Sequence, residues 1–372
     1  MRINFLLPVV NMSGGIKVIA IYAKYLSDKG HEVFLISPTD SELPLFKKLK
    51  SVLKGKGWPK KAKTDNGHLS ALGLTHRELE TYRQVTDDDL PDADVVIATW
   101  WETAEWAYDL SPSKGAKFYF IQHYEKFDFV PQVRCDATYR LPLHKIVIAK
   151  WLLNLMQKKF GDNSVDLVPN SVDKNQFYAD ERDKQAVPTI GFLYAFTHFK
   201  GVDITLAVIK KLKETIPNLR VISFGSYMPD DFPMWDNTIE FHYSPAQDKI
   251  GDLYARCDVW ITASRTEGFN LPAMEAMACR TPLVSTKAGW PEEAVINGFN
   301  GFLTEVDDID GLVEASRKIL LATDKIWKIY SNNAYKTLEN SSWQDSADMF
   351  EAALYRGIKR IKSGELTKHY SQ

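Results

Sequence analysis

Strand-sized apolar runs alternate with amphipathic helical stretches along almost the whole chain, in two successive sets. The first set reads strand at Ile3–Val10, helix at Lys17–Lys29 and strand at Glu32–Ser37, with later strands at 95–99, 118–122, 145–149 and 164–168. Gly14-Gly15 reads as the loop before the first helix, and Gly30 as its cap. A polar, charged stretch from Ala179 to Gln185 breaks the rhythm. The second set opens with a strand at Thr189–Leu193 and a helix at Asp203–Thr215. Strands follow at 220–224, 239–242, 259–263, 282–285 and 302–304, then helices at 309–321, 324–339 and 343–361. Strands that alternate with helices form parallel βαβ units. Two such sets predict two doubly wound domains facing a cleft, with ligands at the carboxyl ends of the strands.

The remaining composition removes alternatives. A chain of 372 residues suits two cores. The net charge of −2 gives no global field for nucleic acid. Cys135, Cys257 and Cys279 are odd in number and far apart, which implies no disulfide framework and fits a reducing cytoplasm. No apolar run approaches the roughly 20 residues of a membrane span. Met1 to Val10 is too short for a secretion signal and reads as a buried strand.

The segment from Thr262 to Ala278 carries the most chemistry. It leaves an apolar strand, passes through a loop holding Glu267 and Gly268, and enters a helix with Pro272 in its first turn. A helix start offers unpaired N–H groups and about half a positive charge, a seat for phosphate. Glu267 and Glu275 flank that seat. Carboxylates repel a bare phosphate but accept hydrogen bonds from hydroxyls. The combination suggests a nucleotide diphosphate carrying a sugar.

Those residues resemble the retaining nucleotide-sugar glycosyltransferases of the two-Rossmann-domain (GT-B) type, family 4, particularly those that build bacterial surface polysaccharides. The most specific match is the E-x7-E signature from Glu267 to Glu275, running on to Val284. Supporting matches are Gly14-Gly15, Gly30-His-Glu-Val33, Phe120-Ile-Gln-His-Tyr-Glu125, Val168-Pro-Asn-Ser-Val-Asp173, Phe199-Lys-Gly-Val-Asp203 and Asn297-Gly-Phe-Asn-Gly301. The resemblance implies an α/β GT-B fold. Residues 1–183 would form the acceptor domain, 184–345 the donor domain, and 346–372 a helix returning to the first domain. It implies a metal-independent transferase with no cofactor beyond a co-substrate, a UDP, GDP or dTDP sugar. The acceptor would be a hydroxyl of a glycan or lipid-linked molecule. Rival readings are an epimerase or phosphorylase on the same scaffold, or a non-catalytic nucleotide-sugar-binding protein.

The same resemblance assigns roles. Glu275 accepts from ribose hydroxyls, where a plain alternative is a first-turn charge complementing the helix dipole. Glu267 meets donor-sugar hydroxyls near the reacting carbon. The N–H groups of Phe269, Asn270 and Leu271, beside Gly268, hold the β-phosphate. Lys200 offsets diphosphate charge. The family's accompanying arginine is missing from Leu193 to Phe199, so either another base such as His198 or Arg265 takes its place or the leaving group is stabilised less. Gly14 and Gly15 admit close backbone approach to the donor. His123 contacts the donor sugar or orients the acceptor. Glu125 reads as an ordinary loop charge, and Trp100, Trp101 and Trp106 as core. Asp308-Ile-Asp310 fits helix capping and Asp92-Ala-Asp94 precedes a strand, so neither reads as a metal motif.

From Lys47 to Lys63 there are eight lysines and no acidic residue. Leu45, Phe46, Leu49, Val52 and Leu53 recur at near-helical spacing. A basic amphipathic helix is expected to contact an anionic membrane surface. That contact would make the protein cytoplasmic and peripheral on the inner face.

Overall fold

The structure is a computed structural model that describes residues 1–11, 13–40, 67–229, 232 and 234–366. The chain divides into two compact units. One comprises Met1–Ile148, Leu152–Val168 and Ala347 onward; the other comprises Ala149–Trp151 and Pro169–Ser346. The Lys47–Lys63 expectation lies outside the described residues. Among those described, no helix is long and apolar enough to cross a membrane.

The first unit holds seven strands: β1 Arg2–Leu6, β2 Glu32–Ser37, β3 His76–Glu78, β4 Val95–Ala98, β5 Ala116–Ile121, β6 His144–Val147 and β7 Asp166–Leu167. They lie in the order β3-β2-β1-β4-β5-β6-β7, all parallel. Every residue of β4 is buried, as expected for a parallel strand covered on both faces. β1 stops four residues short of Val10, because Pro8 has no N–H to extend the ladder. The following helix begins at Gly14, not Lys17. Gly14 and Gly15 therefore form its first turn and not a loop: Lys17 N–H already donates to the Ser13 carbonyl at 3.1 Å. Gly30 closes that helix at φ 87°. β3 escaped prediction because the short run His-Arg-Glu has no apolar pattern and sits at the sheet edge.

The terminal helix Trp343–Lys362 supplies this unit with Phe350. The Phe350 ring stacks on Tyr22 at 4.7 Å between centroids and meets Phe120 edge-on at 5.1 Å. Lys29 and His31 bind Glu351, and Arg356 binds Asp166. Within the same unit Lys145 and Asp162 form an ion pair at 2.8 Å, with side chains 0% and 1% exposed.

The second unit repeats the plan with six strands: β8 Thr189–Leu193, β9 Arg220–Gly225, β10 Glu240–Tyr243, β11 Val259–Thr262, β12 Leu283–Thr286 and β13 Gly301–Thr304. Their order is β10-β9-β8-β11-β12-β13, again all parallel. The stretch from Ala179 to Gln185 is held inside this unit. Arg182 lies 4.4 Å from the Trp327 ring, and Gln185 N–H donates to Asp258 at 2.8 Å. The sheet's strand order reverses between β8 and β11, and such reversals open a crevice at the carboxyl ends of the strands.

Candidate active site

The loop after β8 and the loop after β11 meet at that reversal. The first ends in a short turn, His198–Lys200, followed by Gly201 at φ 62°. A Cβ on Gly201 would lie 1.9 Å from the Ala263 carbonyl oxygen, so only glycine lets the two loops come this close. Arg265 N–H donates to the Phe199 carbonyl at 2.8 Å and ties the loops together.

Lys200 and Glu267 face each other across this junction. The ammonium lies 2.8 and 2.9 Å from the two carboxylate oxygens. Glu267 is only 7% exposed. Ser264 donates its hydroxyl to Glu267 at 2.8 Å, and Thr262 lies 3.3 Å from the Ser264 oxygen. Asn270 donates to Thr262 at 3.1 Å. Lys200, Thr262, Ser264, Glu267, Asn270 and Pro272 all line one recess.

The turn into the helix Leu271–Ala278 is shaped to present N–H groups. Asn270 adopts φ 78°, a conformation that asparagine tolerates better than most residues. The Gly268 carbonyl accepts from the Trp151 indole at 2.9 Å, and the Phe269 carbonyl accepts from Trp290 N–H at 2.7 Å. In a trans peptide the N–H points opposite to the C=O. The N–H groups of Phe269 and Asn270 therefore aim away from those donors' side. Among the described residues the N–H groups from Gly268 to Leu271 bond no protein acceptor. Pro272 sits in the first turn, as its missing N–H allows.

Glu275 lies on the same helix but not among the side chains lining the recess. It is 8% exposed and accepts from the Tyr254 hydroxyl at 2.9 Å. Gly14, Gly15 and His123 belong to the first unit. Gln122 donates to the Gly15 carbonyl at 3.2 Å. His123 follows β5, donates from Nδ1 to the Tyr124 carbonyl at 2.7 Å, and packs against Phe127. Trp101 and Trp106 are buried as expected, while half-buried Trp100 stacks on Phe127.

Arg265, one of the two substitutes offered for the family's missing arginine, is engaged by acidic neighbours. Its guanidinium binds Asp203 at 2.8 and 2.9 Å, Asp307 at 2.8 Å and the His198 carbonyl at 2.8 Å. Glu125 is no loop charge: it is 3% exposed and accepts from Trp101 N–H at 3.0 Å. Burial holds its carboxyl well above its ordinary 4.5. The folded state therefore binds a proton that the unfolded state has lost, and stability falls as pH rises above 4.5. Glu125→Gln, which keeps the acceptor, is expected to flatten that fall; urea midpoints compared between about pH 5 and 8 would check it.

Ser264 and Tyr254 escaped the sequence reading. Ser264 carries a local signal, a hydroxyl three residues before an acid in one loop. Tyr254 carries none, because only tertiary packing brings it to Glu275. The cysteines are all free and buried, and burial pushes the Cys135 and Cys257 thiols up to about 12. Asp308 caps its helix through Gly311 N–H at 2.9 Å.

Residues 173–337 match the family model described as Glycosyl transferases group 1. An uncharacterized glycosyltransferase of Methanocaldococcus jannaschii is 28% identical over 203 residues, covering 54% of this chain and 55% of that protein. The chain spans about half of that relative's length. Among solved structures, sucrose-phosphate synthase from Thermosynechococcus elongatus aligns with TM-score 0.71 at 14% identity, covering 97% of this chain and 100% of that one. Anabaena HepE in complex with UDP-glucose aligns with TM-score 0.72 at 16% identity, covering 96% and 100%. The fold is the GT-B fold of two Rossmann-like α/β units.

Proposed function

We propose that this chain, whose residues 173–337 match the model for glycosyl transferases group 1, moves a sugar from a nucleotide diphosphate to a hydroxyl of a glycan or lipid-linked acceptor, with retention at the anomeric carbon. The observation that carries the reading is the convergence of Lys200, Glu267 and unbonded N–H groups at the β8/β11 reversal. A helix start seats a diphosphate. Glu267 accepts from hydroxyls of the donor sugar, and Glu275 from those of the ribose. The complex of HepE with UDP-glucose supports a nucleotide sugar as ligand.

In the mechanism, the bond from the anomeric carbon to the diphosphate oxygen breaks while the acceptor oxygen bonds to the same face. The departing diphosphate keeps the electron pair and takes the acceptor's proton. Lys200 turns from Glu267 toward that growing charge, and the N–H groups at 269–271 meet it without rearranging. The reaction belongs in surface polysaccharide synthesis on the cytoplasmic side, where the free thiols stay reduced.

A thermal-shift screen with UDP, GDP, dTDP, CMP and their sugars tests the reading. One nucleotide class is expected to stabilise the protein, by about 2.7 kcal/mol at a hundredfold excess over Kd. Glu275→Ala should weaken that binding by about 10–100-fold, the worth of a hydrogen bond to a charged group. No shift with any nucleotide, or full affinity in the variant, would overturn the assignment.

A further inference from the structure

We infer that Tyr254 is a positioning residue that fixes the Glu275 carboxylate for the two hydroxyls of a nucleotide ribose. The inference rests on the reading of Glu275 as the ribose ligand. Tyr254 is fully buried. Its ring is wedged edge-on against Trp260 at 4.5 Å, Phe224 at 5.6 Å and Phe177 at 6.1 Å. Its carbonyl accepts from the Thr281 hydroxyl at 2.7 Å and from Cys257 N–H at 3.0 Å. The phenol therefore has one orientation, and its hydroxyl meets Glu275 Oε2 at 2.9 Å.

This geometry does two things. Burial holds the phenol well above its ordinary range, so the hydroxyl keeps its proton and remains a donor. A glutamate side chain otherwise holds several rotamers, and ordering them costs affinity when a ligand binds. Tyr254 orders the carboxylate beforehand. With Oε2 accepting from the Tyr254 hydroxyl, the plane of the carboxylate is held in a fixed direction. A ribose with neighbouring 2′ and 3′ hydroxyls is the ligand group that such an acceptor-only carboxylate suits.

The test is calorimetric titration of the full chain with UDP and GDP and with their 2′,3′-dideoxy counterparts. The wild type is expected to prefer the better ribonucleotide over its dideoxy form by about 10–100-fold. Tyr254→Phe should cut that preference by about three- to tenfold while leaving dideoxy affinity unchanged. A merely structural role would weaken both ligands together. The double variant Tyr254→Phe/Glu275→Ala should show the same ratio as Glu275→Ala alone, a comparison that holds even where stability falls. Full preference retained in Tyr254→Phe, or an equal loss for both ligands, would overturn the inference. A wild type, or a Glu275→Ala variant, whose ratio shows no ribose contribution from Glu275 would instead overturn the underlying assignment of that carboxylate.

Discussion

Lys200→Ala is expected to lower turnover by about 10²–10³, the usual cost of removing one group that meets developing charge. The ammonium sits 2.8 Å from Glu267 and its side chain is 24% exposed, so it reaches both the carboxylate and the recess. The loss should fall on kcat more than on nucleotide affinity, since the charge it meets grows as the bond breaks. Lys200→Arg should recover part of the rate, because the guanidinium keeps the charge but presents it as a planar fork. Release of free nucleoside diphosphate from the cognate sugar nucleotide measures both. Turnover of Lys200→Ala within about threefold of wild type would contradict the assignment.

Lys145→Ala is expected to destabilise the first unit by about 3–5 kcal/mol, because it strands the buried Asp162 carboxylate. The ammonium also donates to the Leu141 carbonyl at 3.1 Å and the Leu143 carbonyl at 3.4 Å, so the removal unmakes more than one bond. Burial lowers the lysine's own pKa. Replacing both partners with apolar residues, Lys145→Met with Asp162→Leu, should recover most of the loss. Urea unfolding followed at a probe within the first unit would measure the difference. A single variant within about 1 kcal/mol of wild type would show that water reaches the site.

Much of the fold was legible because parallel strands buried on both faces leave long apolar runs. β2 at Glu32–Ser37 and β8 at Thr189–Leu193 coincide with their expected bounds. β3 was not legible, since an edge strand needs no apolar pattern. The helix Trp101–Asp109 was hidden by its tryptophans, which read only as core residues. At the site, Glu267, Lys200 and Asn270 could be named through the family resemblance, and one recess gathers them. Their supports could not. Tyr254 and the carbonyl anchors on Gly268 and Phe269 arise from contacts between distant segments, and Ser264, though local, was one hydroxyl among several in its loop. Charge alone also misled at Glu125, which lies in the interior.

The overlap that any larger residue would meet at position 201 has a mechanical consequence. Backbone crowding against Ala263, not the ion pair, fixes where the lysine's main chain sits. The ammonium is then a pendant on a rigid mount. It can trade one anion for another by rotating about its own side-chain bonds, while the sheet beneath it stays still.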